Sequence, residues 1–391
     1  MSAAGAGAFP APPLLTRPED VEQWCRDAGA AGVVALDTEA DSFHSYHHKL
    51  CLVQLSFDSR SVLFDPLALG ATGLAPLGEL LGDPAVVKLM HGSDYDLRML
   101  DRDLGFRAVT LRDTQLAAQL LGEPQTGLAA LIAKELGIVL DKSLQRADWS
   151  VRPLTPELLA YAAADTCHLA RLAEILEARL ATIGRLSWWE EECRALEAVR
   201  WQPPESDEFA FERMKGARRL RGAARDRLAA LHGWREQHAA AGDVAPFRVL
   251  GGDALLVLAE RAPEDLEALA KVPGVGSSTV RRFGPTLLRV LATAPPAPVR
   301  APRERFTVDR ERERRLKELR AARDAIAVEL AIDPGVLAPR AALEAVVDAT
   351  PSSREAVETC LGRRWRTEVL ATALLAAVAG WDAGHVGGEP Q

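Results

Sequence analysis

The sequence contains no uninterrupted apolar run approaching the roughly 20 residues a membrane-spanning helix needs, which argues against a helical membrane protein. It has no CxxC pair. Its five cysteines, Cys25, Cys51, Cys167, Cys193 and Cys360, stand singly, so neither a disulfide framework nor a cysteine-based zinc cluster is expected. A basic stretch ahead of an apolar one is also missing from the start. Met1 to Pro13 is rich in small residues and proline and reads as a flexible leader, not a secretory signal. Basic charge is not in excess either, since 47 Lys+Arg stand against 55 Asp+Glu for a net charge of −8. These absences leave a soluble, reduced, cytoplasmic protein as the expectation, with no membrane partner and a monomer by default. At 391 residues the chain has room for two to four domains of about 100–200 residues each.

An acidic total counts against a nucleic-acid partner until the chain is divided at Pro203–Pro204. Residues 1–204 carry a net charge of −10 and residues 205–391 a net charge of +2. Within the second part, residues 211–295 hold 14 basic and 9 acidic side chains. The charge is segregated into an acidic front and a more basic module behind it.

Short apolar runs open the front part: Val33–Asp37, Leu50–Leu55, Ser61–Asp65 and Ala85–Met90. Separated by polar turns, they predict neighbouring strands of one sheet. Helices are predicted over Ser93–Leu104, Thr114–Leu121, Gly127–Leu136 and Thr155–Leu180. Thr155-Pro156-Glu157 gives the last of these a capping threonine, a first-turn proline and an acid. The front therefore reads as an α/β domain with a mixed sheet flanked by helices over 14–204. Behind it the strand patterns stop. Residues 207–295 read as short helices, 296–305 as a proline- and alanine-rich linker, 306–381 as helices again and 382–391 as a tail. The two helical stretches echo each other weakly, at a period of about 75–85 residues.

Three polar clusters interrupt the front domain. Asp37-Thr38-Glu39 ends the first strand, where residues two apart share a face. His91-Gly92-Ser93-Asp94-Tyr95-Asp96-Leu97 follows a later strand. Tyr161-Ala162-Ala163-Ala164-Asp165 places a phenol and a carboxylate one helical turn apart. Each has an ordinary reading taken alone: a solvated turn, a helix cap, or a core tyrosine beside a surface acid. Four carboxylates drawn from strand and helix positions also suit hard cations, and could hold a pair of them about 3.5–4 Å apart for phosphoryl transfer.

In that order, the clusters resemble the three motifs of the DEDD 3′–5′ exonucleases whose third motif carries tyrosine. Leu140-Asp141-Lys142-Ser143, Ala147-Asp148-Trp149-Ser150 and Arg152-Pro153-Leu154, leading into Tyr161, resemble the ribonuclease D family in particular. The resemblance implies a ribonuclease H-like fold, with Asp37, Glu39, Asp96 and Asp165 as ligands of two divalent ions (Mg²⁺ or Mn²⁺) and Tyr161 as the group orienting the attacking water. Asp96 is preferred to Asp94 because the family's aspartate stands directly before the leucine. Asp113 resembles a family position near the site that does not bind metal, and reads as a helix cap. His44, His47 and His48 lack partners at zinc-ligand spacing and read as a solvated loop. His91 and His168 read equally well as packing residues. Lys142, Arg146, Trp149 and Arg152 form a basic-aromatic loop that either contacts the phosphate backbone and a terminal base or simply packs.

Trp234-Arg235, Val244–Leu250 and Leu266–Gly276 resemble the HRDC domain. Gly274 and Gly276, placed before a helix, allow backbone N–H groups to approach a phosphate, with Lys271, Arg281 and Arg282 adding affinity. The alternative is a tight interhelical turn. Arg314–Arg320 and Gly335–Arg340 resemble a second such domain, but Leu361-Gly362-Arg363-Arg364-Trp365-Arg366 there loses one glycine and gains three arginines. The resemblance implies a 3′–5′ exoribonuclease that releases nucleoside 5′-monophosphates and trims tRNA precursors and other small structured RNAs. A DNA exonuclease and an inactive nucleic-acid-binding scaffold are the alternatives.

Overall fold

A computed structural model describes residues 11–203, 207–299 and 310–383. Most of the leader expected over 1–13, the second half of the linker over 296–305 and nearly all of the tail over 382–391 lie outside the described residues. The chain divides into two units. One contains residues 1–39, 50–201 and 306–391; the other contains residues 40–49 and 202–305.

The first unit begins with β1 (Leu14–Leu15), α1 (Pro18–Ala31), β2 (Val33–Ala40), β3 (Leu50–Phe57) and β4 (Arg60–Phe64). It continues through α2 (Pro66–Gly73), α3 (Ala75–Gly82), β5 (Val87–Met90), α4 (Asp94–Leu104), β6 (Leu111–Asp113) and α5 (Thr114–Leu120). Four helices follow: α6 (Leu128–Leu136), α7 (Pro156–Ala164), α8 (Leu169–Thr182) and α9 (Leu186–Leu196). Six strands form one mixed sheet in the order β1-β4-β3-β2-β5-β6, with β3 antiparallel to β4 and parallel pairing of β1 with β4, β2 with β5 and β5 with β6. Every residue of β3 is buried, as a central strand covered on both faces requires. Asp58 and Ser59 connect β3 to β4 with φ of 46° and 61°, the two positive values of a two-residue turn that matches strand twist.

The four predicted strands are present, and so is the α/β layering. β1 and β6, of two and three residues, are too short to show a period. The helix predicted over 155–180 is in fact two, α7 and α8, separated at residues 165–168. Thr166 causes no proline-type break. Its buried hydroxyl bonds to Ser56 Oγ at 2.7 Å and donates to the Ala163 carbonyl at 3.3 Å, offering the backbone an alternative to helical continuation.

The second unit holds α10 (Gly222–Gly242), α11 (Pro246–Val249), α12 (Gly252–Arg261), α13 (Leu266–Ala270) and α14 (Ser277–Ala292). Its core gathers Leu228, Leu231, Trp234, Leu255, Leu258, Leu269 and Leu287. Residues 40–49, which include the His44, His47 and His48 cluster expected to be a solvated loop, are tied into it. Asp243, left-handed at the end of α10, accepts from the His47 backbone at 2.9 Å and from Lys49 Nζ at 2.7 Å.

Returning to the first unit, the chain forms α15 (Arg310–Leu330), α16 (Pro334–Leu337), α17 (Arg340–Ala349), α18 (Arg354–Leu361) and α19 (Arg364–Ala383). Both five-helix runs open with a 21-residue helix, then a four-residue helix started by proline, then a ten-residue helix. That shared order turns the weak sequence echo into a structural repeat.

Candidate active site

Separate segments of the first unit bring carboxylates to one place. Asp37 and Glu39 share a face near the end of β2. Asp165 caps the C-terminus of α7 in helical conformation (φ −75°, ψ −18°), which keeps it one turn from Tyr161 despite the break that follows. At the other end of α7, Thr155 accepts from the Leu158 backbone at 3.4 Å and Pro156 opens the first turn. Among the described residues, Asp37, Glu39 and Asp165 present oxygens that all lie within 4.8 Å of one another. They line a cavity of about 340 Å³ together with Thr38, His91, Gln115, Lys142 and Tyr161.

The structure separates the two aspartates at the start of α4. Asp94 is exposed and pairs with Arg98 at 2.7 Å. Asp96 is buried, accepts a hydrogen bond from the Thr38 hydroxyl, and stands apart from the close trio. Its charge is nonetheless felt at both strand carboxylates.

Burial is the main electrostatic fact of the site. It raises Asp37 well above the usual carboxylate range, reinforced by the negative charges of Asp96, Asp165 and Glu39. Burial, then Asp165 and Asp96, pushes Glu39 up to about 9. Burial lifts Asp96 to about 7 against the opposing Thr38 hydrogen bond, and Asp165 to about 6 against the pull of Lys142. Burial and the charges of Asp165 and Glu39 also raise the Tyr161 phenol, so Tyr161 keeps its proton at neutral pH and serves as a hydrogen-bonding group, not as a base. Like charges crowded out of water are neutralised either by protons, as the raised pKa values reflect, or by a cation, and an all-oxygen donor set is the kind that hard divalent ions take.

Asp113, buried at the end of β6, organises the approach to this cavity. Its carboxylate accepts from the backbone N–H groups of Gly92 (3.1 Å) and Ser93 (2.8 Å), from the Ser93 hydroxyl (2.8 Å), and from Gln115 N (2.8 Å) and Leu116 N (3.1 Å). It is thus the cap of α5, as read from sequence, and also the clamp that fixes the 91–93 turn leading into α4. His91 Nδ1 lies 2.9 Å from Thr114 Oγ1.

The expected nucleic-acid contacts separate into two groups. Lys142 is exposed and lines the cavity, and Arg146 is exposed. Trp149 is 1% exposed, in a core with Cys51, Leu52, Leu63, Leu154 and Ala162, and so has no free face for a base. Arg152 grips Asp65 through Nε at 2.6 Å and Nη2 at 2.8 Å and donates to the carbonyls of Trp149 and Cys51. Trp149 therefore packs where a base contact was expected, and Arg152 is engaged in an ion pair with Asp65 and in backbone carbonyl contacts. In the second unit Lys271 is exposed, within 2.7 Å of Glu267, and Arg281 and Arg282 are exposed. Gly274 has φ +82°, and a Cβ there would meet the Ala254 Cβ at 3.1 Å, so glycine is needed for the turn itself. Gly276 precedes α14 with an ordinary φ of −76°. Sequence reasoning missed Gln115, Gly127, Leu128 and Gln145 in the cavity wall; none is titratable, and no local spacing marks them.

Comparison with known proteins agrees with this architecture. A family model described as 3′–5′ exonuclease matches residues 14–181, and one described as HRDC domain matches residues 224–291 and 312–378. The chain is 36% identical over 299 residues to a ribonuclease D of Gluconacetobacter diazotrophicus, covering 75% of each chain. Among solved structures it is similar to Escherichia coli RNase D, described as an exoribonuclease involved in structured RNA processing (27% identity, TM-score 0.64, 94% of this chain and 98% of that one). It is also similar to the catalytic core of RRP6 from Trypanosoma brucei (27% identity, TM-score 0.66, 73% and 82%). Among the described residues, no helix is long and apolar enough to cross a membrane.

Proposed function

The chain belongs to the ribonuclease D family of 3′–5′ exoribonucleases, and from that premise we propose that Asp37, Glu39, Asp96 and Asp165 hold two divalent ions, Mg²⁺ or Mn²⁺, at its active site. The observation that carries this reading is the convergence of Asp37, Glu39 and Asp165 oxygens within 4.8 Å of one another, next to Tyr161 and Lys142. Bound there, divalent cations supply the Lewis acidity that phosphodiester hydrolysis needs. The chain's own groups do the rest. The Tyr161 hydroxyl, held protonated and one turn from Asp165, hydrogen-bonds and orients the attacking water. Lys142, on the cavity wall, meets a non-bridging phosphate oxygen. The water oxygen bonds to phosphorus as the P–O3′ bond breaks, which gives a nucleoside 5′-monophosphate and an RNA one residue shorter with a free 3′-hydroxyl.

The proposed substrates are tRNA precursors and other small structured RNAs, handled in the cytoplasm. The exonuclease domain (14–204) takes the 3′ end, and the first helical domain (207–295) provides the basic surface for the structured body through Lys271, Arg281, Arg282 and the Gly274–Gly276 turn. The remaining boundaries are the linker at 296–305 and the second helical domain at 306–381. Incubation with 3′-extended tRNA or matched DNA, in Mg²⁺, Mn²⁺ or EDTA, tests the assignment. The expected result is stepwise release of nucleoside monophosphates from the RNA in either metal and none in EDTA. Release from DNA alone would overturn the substrate class, and metal-independent release would overturn the site.

A further inference from the structure

The first helical repeat and the second place different groups at the same turn. In the first, the turn into α14 is exposed at Gly274 and Gly276 and at the helix's first residues, Ser277 and Ser278. In the second, the segment before α19 is filled by carboxylates from α9. Buried Glu192 accepts from Arg363 Nε at 3.1 Å and Trp365 Nε1 at 2.8 Å, and pairs with Arg366 Nη2 at 2.9 Å. Glu191 accepts the free backbone N–H groups that open α19, those of Arg364 at 2.5 Å and Trp365 at 3.1 Å. Trp365, 1% exposed, stacks on Trp188 with ring centroids 4.7 Å apart and planes 18° from parallel. The α19 N-terminus, whose dipole favours an anion, therefore already holds one, supplied by the chain itself. A phosphate entering there would have to strip two carboxylates of these partners and leave at least one buried charge uncompensated, a large cost.

The other face of α9 contacts Asp113, beside the active-site cavity. Trp189 Nε1 donates to the Asp113 carbonyl at 2.7 Å, and Cys193 Sγ accepts from the Asp113 backbone at 3.3 Å. Asp113 fixes the turn before α4, which carries Asp96, and the start of α5, where Gln115 lines the cavity. A second connection reaches the far end of α5. Arg185 donates to the carbonyls of Leu120 at 2.7 Å and Leu330 at 2.6 Å. Gly122, at φ +73°, lies so close to the second module that a Cβ would sit 1.8 Å from the Ala331 carbonyl oxygen. α5 is thus held at its catalytic end through α9 and at its distal end by direct contact.

We propose that the second helical module is an internal brace for the exonuclease site, that Glu192 is the positioning residue that locks it, and that the turn before α19 is closed to RNA phosphate. The inference rests on the exoribonuclease reading and adds to it a division of labour between the two repeats. Three full-length variants test it on 3′-extended tRNA. Glu192→Ala removes the acceptor shared by Arg363, Trp365 and Arg366. It should lower kcat by between about two- and thirtyfold, the range of coupling through packed networks, with KM, RNA Kd and its salt dependence unchanged. Glu192→Gln keeps an acceptor for Trp365 Nε1 and should recover part of the loss. Arg364→Gln changes an exposed side chain whose ion pair is with Glu368 on the same helix, and should leave RNA Kd as it is. A phosphate contact there would instead reduce the salt slope by about one. Wild-type kcat in Glu192→Ala overturns the brace, and weakened RNA binding in Arg364→Gln overturns the closed turn. If Glu192→Ala does not fold, Glu192→Gln and Arg364→Gln still decide. Failure of the underlying reading is distinct, because the unsubstituted chain would then release no nucleotide.

Discussion

Asp113 stands outside the carboxylate trio, yet it satisfies donors from both sides of the cavity. Asp113→Ala removes a helix cap and leaves buried N–H groups unpaired, so it should cost at least about 2 kcal/mol in denaturant unfolding, with Asp113→Asn milder. An alanine variant of native stability would show that the 91–93 turn is held elsewhere. Trp149 makes the opposite point. Buried against Cys51 and Leu63, it should cost about 3–5 kcal/mol on conversion to alanine, while Trp149→Phe should bind RNA like the wild type. Loss of RNA affinity in a stably folded Trp149→Phe would restore the stacking role. At this scale the sequence shows chemistry better than exposure. The i, i+2 and i, i+4 spacings of Asp37 with Glu39 and Tyr161 with Asp165 follow from backbone geometry. The burial of Trp149 depends on residues about a hundred positions away, and a basic-aromatic loop looks the same on paper whether its ring faces water or core.

The elements divide along the same line. β2 through β5 were legible because each spans an apolar run with turns around it. β1 and β6 were not, because strands of two and three residues are created by their neighbours in the sheet. The gap between α7 and α8 follows from a tertiary hydrogen bond between Thr166 and Ser56, which no local pattern encodes. The turn between α5 and α6 offers a sharp test of element packing. Gly122→Ala combines a left-handed φ, which costs a non-glycine residue about 1–2 kcal/mol, with a direct clash against Ala331. It should lower the thermal midpoint, and an unchanged midpoint would show that α5 and the second module do not meet as described.

For the whole molecule, the net charge of −8 misleads because it averages an acidic exonuclease domain with a basic helical one. The clustered acids of the first unit also give the chain a pH response. Asp165, Asp96 and Glu39 are raised to about 6, 7 and 9, whereas the same groups in an unfolded chain ionise near 4. Between about pH 5 and 9 these three carboxyls therefore hold more protons in the metal-free folded chain than in the unfolded one, and their contribution to stability falls as pH rises. Divalent ions displace those protons, so their stabilising effect grows over the same interval. Thermal unfolding at pH 5.5 and 8.5, with EDTA or Mg²⁺, should show a lower midpoint at 8.5 only without metal; a metal-free midpoint that rises with pH would contradict the buried-acid site. The central claim, that one carboxylate cluster performs the hydrolysis, is tested most directly by Asp165→Ala. In single-turnover assays with 3′-extended tRNA and Mg²⁺, the account predicts that the wild type releases nucleoside 5′-monophosphate and that Asp165→Ala releases none while binding the tRNA with unchanged affinity. Nucleotide release by Asp165→Ala at a rate near that of the wild type would contradict it.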